Sequence, residues 1–311
     1  MLAHIFPGQG SQFVGMGKDI FEVFPRAAEI FRKADKALGF SISSLCFHGP
    51  EDQLISTENA QPAILTVSIA VLEALKERMR HDWKEPSFVA GLSLGEYTAL
   101  VVSGVLSFED AVCLVRKRGM YMEEAARHIP GKMLSIIGLL RQEVEEICKK
   151  AGCEIANVNC PGQIVFSGTV VQAEGAKAQA IEKGAKRAIF LEVSGGFHSS
   201  LMKEAEQKLA KDMAKLNFKD PVIPLVSNVT AESATSKKGI LSNLIKQVSS
   251  STYWEDSVRF MAAKGVDLFL EIGPGSVLRG LNRRIDPELR TANIGTVEQI
   301  EQFASEGVAQ R

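Results

Sequence analysis

The sequence predicts an α/β protein: a mainly parallel sheet covered by helices on both faces, interrupted by one small inserted unit. Three observations predict it. Short apolar runs alternate with amphipathic stretches over most of the chain, the order that a parallel sheet requires. At Gly91-Leu92-Ser93-Leu94-Gly95 an apolar run turns sharply into a helical stretch. From about Gly131 to residue 193 the order becomes β-α-β-β-α-β, the split unit of ferredoxin-like domains.

In chain order, residues 2–6 are a short apolar strand that ends in the turn-rich loop Pro7-Gly8-Gln9-Gly10-Ser11-Gln12. The spacing of Ile20, Val23, Phe24, Ala27, Ile30, Phe31 and Ala34 predicts a helix over 19–38, and residues 62–80 predict another with Pro62 in its first turn. Residues 87–91 read as a strand, 96–102 as a helix that Gly104 ends, and Ser107 as the N-cap of a helix reaching Ala126, with Asp110 completing a box-like start. The inserted unit reads as strand 133–139, helix 142–150, strands 154–158 and 163–167, helix 171–183 and strand 187–193. The chain then returns through helix 202–216, strand 222–227, helices 241–248 and 257–264, and strand 266–272. The division expected is a core of residues 1–127 and 195–311 around a small subdomain of residues 128–194.

Composition narrows the function. The 311 residues are 45% apolar and 23% charged, enough apolar mass for a large core. With 36 basic against 37 acidic residues, no global field points to nucleic acid or an anionic membrane, and a charged partner must be read by a local patch. Five scattered cysteines (Cys46, Cys113, Cys148, Cys153, Cys160) lack zinc-site spacing and read as free thiols in a reducing compartment. No metal site is expected. No apolar run is long enough to span a bilayer and no targeting segment is evident, so a cytoplasmic protein is expected.

The chemistry centres on Ser93. In a Gly-x-Ser-x-Gly turn the flanking glycines let the backbone close tightly and push Oγ out at the carboxyl edge of the sheet. The N–H of Leu94, heading the next helix, would face a developing oxyanion. Of the five histidines, His198 is the one at a strand end downstream of the serine, after the loop Ser194-Gly195-Gly196-Phe197. Between the two, Asp110 is the only aspartate, and it belongs to a helix start; the glutamates of that span are expected mostly on polar helix faces. A Ser-His dyad with another orienting acceptor is therefore favoured over a full triad. Arg118 falls on the inward stripe Ala111, Leu114, Val115, Met122, Ala125. A core-facing guanidinium must meet an anion, either a substrate carboxylate gripped through two parallel hydrogen bonds or an internal glutamate.

Taken together these motifs resemble a family. Phe6-Pro7-Gly8-Gln9-Gly10-Ser11-Gln12, residues 57–63 ending Gln61-Pro62-Ala63, Gly91-Leu92-Ser93-Leu94-Gly95-Glu96 and Arg118-Gly119 are similar to malonyl-CoA:acyl-carrier-protein transacylases. So are Ala156-Asn157-Val158-Asn159-Cys160-Pro161-Gly162-Gln163, Phe197-His198-Ser199, Ser227-Asn228-Val229, Glu271-Ile272-Gly273-Pro274-Gly275 and Val277-Leu278. The resemblance implies an α/β-hydrolase-like core with a ferredoxin-like small subdomain. It implies Ser93 as nucleophile, His198 as base, Arg118 as clamp on the malonyl carboxylate, and Gln9 as second oxyanion donor beside Leu94.

By the same motif positions Gln247 would orient the histidine through its backbone carbonyl, Gln61 would line the pocket, and Asn159 would lie near the pantetheine tunnel. Phe197 resembles the malonyl-selecting form, since bulk there would exclude a methyl branch. Leu92 stands where most members carry histidine, and altered packing rather than lost activity is expected from it. The activity implied is ping-pong transfer of malonyl from coenzyme A to the phosphopantetheine thiol of acyl carrier protein, in fatty-acid or polyketide synthesis, by a monomer without cofactor. A serine thioesterase or esterase, or a non-catalytic scaffold relative, are the alternatives. For the acidic carrier a basic docking surface is expected, with Arg279, Arg283, Arg284, Lys183, Lys186 and Arg187 as candidates.

Overall fold

The computed structural model describes residues 1–306. The first part runs β1 (Leu2–Phe6), α1 (Lys18–Val23), α2 (Pro25–Leu38), α3 (Ile42–His48), α4 (Glu51–Ile55), α5 (Thr57–Met79), β2 (Phe88–Gly91), α6 (Leu94–Val102) and α7 (Phe108–His128). The middle part is β3 (Gly131–Ile137), α8 (Arg141–Ala151), β4 (Glu154–Cys160), β5 (Gln163–Thr169), α9 (Val170–Glu182) and β6 (Arg187–Phe190). The last is α10 (Lys203–Met213), β7 (Leu225–Val226), β8 (Ser233–Ala234), α11 (Lys237–Gln247), β9 (Thr252–Tyr253), α12 (Trp254–Ala263), β10 (Leu268–Ile272), α13 (Val277–Ile285), β11 (Arg290–Ile294) and α14 (Val297–Glu306).

The larger sheet has the order β11-β10-β1-β2-β7-β8 and is parallel except for β7 against β8. β1 lies at its centre, with Ile5 paired to Ala90 on one side and Glu271 on the other. Both faces are covered, so successive residues enter different cores. Ala3 and Ile5 pack with Trp254, Val258 and Phe269 on one face, while Phe6, Leu268 and Leu270 join the larger cluster formed with α2, α5 and α7 on the other. Parallel strands end on one edge. The loops after β1, β2 and β7 therefore meet there, and they carry Gln9, Ser93 and Asn228.

The second sheet has the order β6-β3-β5-β4-β9, antiparallel except where β4 runs parallel to β9. Its first four strands come from the middle part, and β9 is contributed from beyond residue 250. One face buries Leu134, Ile136 and Phe166 against α8 and α9. The other sets Met133 and Val165 against Phe197, Met122 and Val248, which brings the loop before α10 up against α7.

Several element boundaries differ from those read in the sequence. The helix expected over 19–38 is two helices, because Pro25 starts α2 and Phe24 before it is extended. α5 starts five residues before Pro62, which sits inside the helix. Its first turn is held from α7, where Glu123 accepts from the Glu58 N–H at 3.3 Å and Arg116 donates to Asn59 at 2.6 Å. The strand expected over 222–227 is only Leu225–Val226, and α11 begins at Lys237, capped by Ser236. Ser107 caps α7 as expected, its Oγ accepting from the Asp110 N–H at 3.1 Å.

Candidate active site

Ser93 occupies the turn between β2 and α6 with φ 52° and ψ −101°, a left-handed backbone that a serine holds only under constraint. The constraint is close packing of backbone. A Cβ added at Gly91 would lie 2.0 Å from the Gly95 carbonyl carbon, and one at Gly95 would lie 2.0 Å from the Phe6 oxygen. Two side-chain amides then satisfy the serine's own peptide groups. Asn228 accepts from the Ser93 N–H at 2.7 Å and donates to the Gly91 carbonyl at 2.7 Å, while Gln247 Nε2 donates to the Ser93 carbonyl at 2.7 Å. Leu94 heads α6, where a helix N–H has no carbonyl one turn back to bond.

His198 presents Nε2 to Ser93 Oγ at 2.8 Å. Its Nδ1 lies 2.9 Å from the Gln247 backbone carbonyl, an acceptor only, so Nδ1 carries the proton and Nε2 is free to accept one. Burial, with the Arg118 charge adding to it, lowers the imidazole pKa to about 4, which keeps the ring neutral near pH 7. The acceptor that replaces the missing acid is thus a main-chain carbonyl.

Arg118 is 1% exposed on α7. Its Nη2 donates to Ser93 Oγ at 3.0 Å and to Gln247 Oε1 at 3.0 Å, and its Nη1 donates to Gln61 Oε1 at 2.8 Å. The Tyr97 ring lies 5.3 Å from the guanidinium carbon. Nε is buried without a partner, so the cation retains unused donor capacity beside the serine. Burial lowers its pKa from the usual arginine value.

The other expected site residues distribute around this centre. Gln61 is fully buried and bonded to Arg118, and its amide nitrogen approaches the Met122 sulfur at 3.5 Å. Gln9 follows β1, its Nε2 donating to Thr57 Oγ1 at 3.3 Å. Phe197 is buried among Met122, Met133, Val165 and Met202, with its carbonyl taken by the Ser167 hydroxyl. Asn159 is half-buried on β4 with Oδ1 unpartnered. Leu92 is half-buried and packs against the cluster that contains Ala90 and Trp254.

Two residues beyond the expected set stand in the centre. Asn228 clamps the turn, and Glu96, 1% exposed, accepts at Oε2 from Gln247 Nε2 at 2.9 Å and from the Asn228 N–H at 3.3 Å. Burial pushes the Glu96 pKa up to about 7. Glu96 is an exception to the expectation that glutamates between the serine and the histidine lie mostly on polar faces. Residues 94–100 of α6 are all buried, so this helix has no polar face. Both residues lie within motifs quoted from the sequence, but their roles carry no periodic signal. Among the described residues, no group of three or more His, Cys, Asp or Glu is placed to hold a metal ion.

Such a centre can activate a hydroxyl as nucleophile, hold an oxyanion at a helix start and bind an anion beside both. Residues 3–292 match the acyl transferase domain family. The malonyl CoA-acyl carrier protein transacylase of Bacillus subtilis (strain 168) is 48% identical over 305 residues, covering 96% of this chain and 95% of the relative. The chain belongs to the malonyl CoA-acyl carrier protein transacylase family.

Solved structures of this transacylase family superpose over nearly the whole length. The acyl-carrier-protein-S-malonyltransferase from Bartonella henselae matches with a TM-score of 0.92 at 41% identity, covering 97% of each chain. A malonyl-transacylase in complex with its type II PKS acyl-carrier protein matches with a TM-score of 0.93 at 37% identity, covering 98% of this chain and 99% of the other. The chain is an acyltransferase, and Ser93, His198 and Arg118 meet within it at hydrogen-bond distance.

Proposed function

We propose that this acyltransferase moves a malonyl group from malonyl-CoA to the phosphopantetheine thiol of acyl carrier protein, through malonyl-Ser93, in fatty acid biosynthesis. One observation carries the reading: Ser93 Oγ lies 2.8 Å from a neutral imidazole and 3.0 Å from a buried guanidinium with a free donor. The names of the relatives support both the donor and the carrier protein.

His198 takes the Ser93 proton as Oγ attacks the thioester carbonyl. The oxyanion is held by the N–H groups of Leu94 and Gln9, one such donor being worth roughly 3 kcal/mol. Collapse expels the coenzyme A thiolate, which leaves with the proton from His198, and malonyl-Ser93 remains. The carrier thiol then gives its proton to His198 and attacks the ester, and the departing serine oxygen recovers the proton. Arg118 holds the malonyl carboxylate and Gln61 lines the same pocket. Phe197 limits its width, and Asn159, with its free amide oxygen, receives the pantetheine arm.

The larger sheet is read as an α/β-hydrolase-like core, residues 1–127 and 195–311, of which 307–311 lie outside the described residues. The middle part, residues 128–194, is read as a ferredoxin-like subdomain, supported by the strand order β6-β3-β5-β4. The reading is of a cytoplasmic monomer needing neither cofactor nor metal. Among the described residues no helix is long and apolar enough to cross a membrane. Polyketide rather than fatty-acid supply is the second reading, favoured by the likeness to a type II PKS transacylase. Intact mass spectrometry after mixing with malonyl-CoA tests the chemistry. A malonyl adduct on the wild type, absent in Ser93→Ala and discharged by holo carrier protein but not by water, is expected. Discharge by water alone would mean a thioesterase.

A further inference from the structure

Arg118 and Glu96 are opposite charges buried within one polar network, separated by the Gln247 side chain. Gln247 Oε1 accepts from Arg118 Nη2 at 3.0 Å, and Gln247 Nε2 donates to Glu96 Oε2 at 2.9 Å. Among the described residues neither charge makes a direct salt bridge, and both are 1% exposed. A buried guanidinium requires a counter-charge. Glu96 is the carboxyl placed to supply it before substrate arrives. The other titratable groups around it are neutral: Tyr97 on α6, whose phenol burial pushes up; His198 beyond Ser93, lowered to about 4; and His4 on the neighbouring β1, lowered to about 3. The charge acting on Glu96 is that of Arg118 on α7.

A carboxylate-bearing substrate changes the balance. With its carboxylate on Arg118, two anions would share one cation whose own exposure, like that of Glu96, is 1%. The anion already disfavoured by burial is the one that takes up a proton. We propose that Glu96 is the resident counter-ion of Arg118 and a specificity-determining, positioning residue, which takes one proton from solvent when a substrate carboxylate pairs with Arg118. This rests on the malonyl reading of the site. Glu96 touches no reacting atom. It acts by holding Gln247 and by setting how much of the Arg118 charge is left for the substrate.

Linkage makes the effect reciprocal: whatever factor the substrate carboxylate applies to protonation of Glu96, protonation applies to capture of that substrate. Below about pH 7 Glu96 is neutral, and Arg118 is uncompensated. Above it, the ionised carboxyl competes with the substrate. Preference for a carboxylate-bearing acyl group over a neutral one therefore rises as pH falls through 7, by about tenfold for each pKa unit of coupling.

The experiment measures acyl-enzyme formation from malonyl-CoA and from acetyl-CoA between pH 5.5 and 8.5, in the wild type and in Glu96→Gln. The malonyl-to-acetyl ratio of kcat/KM should fall about tenfold with rising pH in the wild type. In Glu96→Gln it should stay at its acid level throughout. A second measurement keeps the test decisive if Glu96→Gln fails to fold. Loading wild-type enzyme with malonyl at pH 7 in weak buffer with an indicator dye should take up roughly half a proton per acyl-enzyme beyond that seen with acetyl. A flat wild-type ratio with no extra proton uptake overturns the proposal while malonyl-Ser93 still forms. Absence of any malonyl adduct overturns the functional reading as well, so the two failures are distinguishable.

Discussion

Arg118 holds three acceptors and still has Nε unpartnered within the core. Losing a fully buried charged contact costs about 3 kcal/mol, or roughly a hundredfold. Arg118→Ala should therefore reduce malonyl transfer about a hundredfold more than acetyl transfer, measured as kcat/KM for the two thioesters. Equal losses would remove the clamp. The neutral His198 makes a separate prediction. With acetyl-CoA, where no substrate carboxylate is involved, the acid limb of the acylation rate should lie near pH 4 rather than 6.5, because the base stays deprotonated down to its lowered pKa. A limb near 6.5 in stopped-flow acylation would mean that the ring is solvated. Arg118 was legible because it breaks an apolar stripe. Glu96 was not, because a helix buried all round gives no pattern by which an inward carboxyl can be told from an outward one.

At the scale of elements, the turn between β2 and α6 depends on backbone contact with β1. Gly95→Ala would drive a methyl onto the Phe6 carbonyl, so the turn must open. Loss of several kcal/mol in a denaturant melt, together with loss of acylation, is expected. Gly175 in α9 is the opposite case, with open space where a Cβ would go. Gly175→Ala should stabilise by about 0.5–1 kcal/mol through helix propensity and leave transfer unchanged. The same distinction governs what could be read from sequence. The Ser107 cap and the β-α-β-β-α-β order are local and were legible. The first turn of α5 was not, because residues 57–61 lack apolar periodicity and are held by Glu123 and Arg116 of α7.

For the whole molecule, His4 is a fully buried titratable group on the central strand β1. It lies at the centre of the main sheet with both ring nitrogens unpartnered and Trp83 at 5.3 Å. Burial first, and Lys76 second, lower its pKa from 6.5 to about 3. Between those values the unfolded chain binds a proton that the folded chain excludes. Stability from this group is therefore present above pH 6.5 and lost as pH falls toward 3, by about 1.4 kcal/mol per pH unit. His4→Phe should remove that slope, measured by urea melts at pH 4.5 and 6; an unchanged slope would mean that His4 is protonated in the folded state.

The alternation of strands and helices and the inward position of Arg118 were readable from sequence because each is set by neighbours within a few residues; the Gly91–Gly95 turn was readable from its glycine spacing, although its closure also needs β1. The tertiary structure decided which distant segments complete the centre. Gln247 reaches Ser93, His198, Arg118 and Glu96 from the end of α11, and Asn228 reaches Ser93 from the loop after β7. The meeting of Asn228 with Ser93 follows from the order of parallel strands, which brings the loops after β1, β2 and β7 to one edge, and strand order is not a local property of the chain.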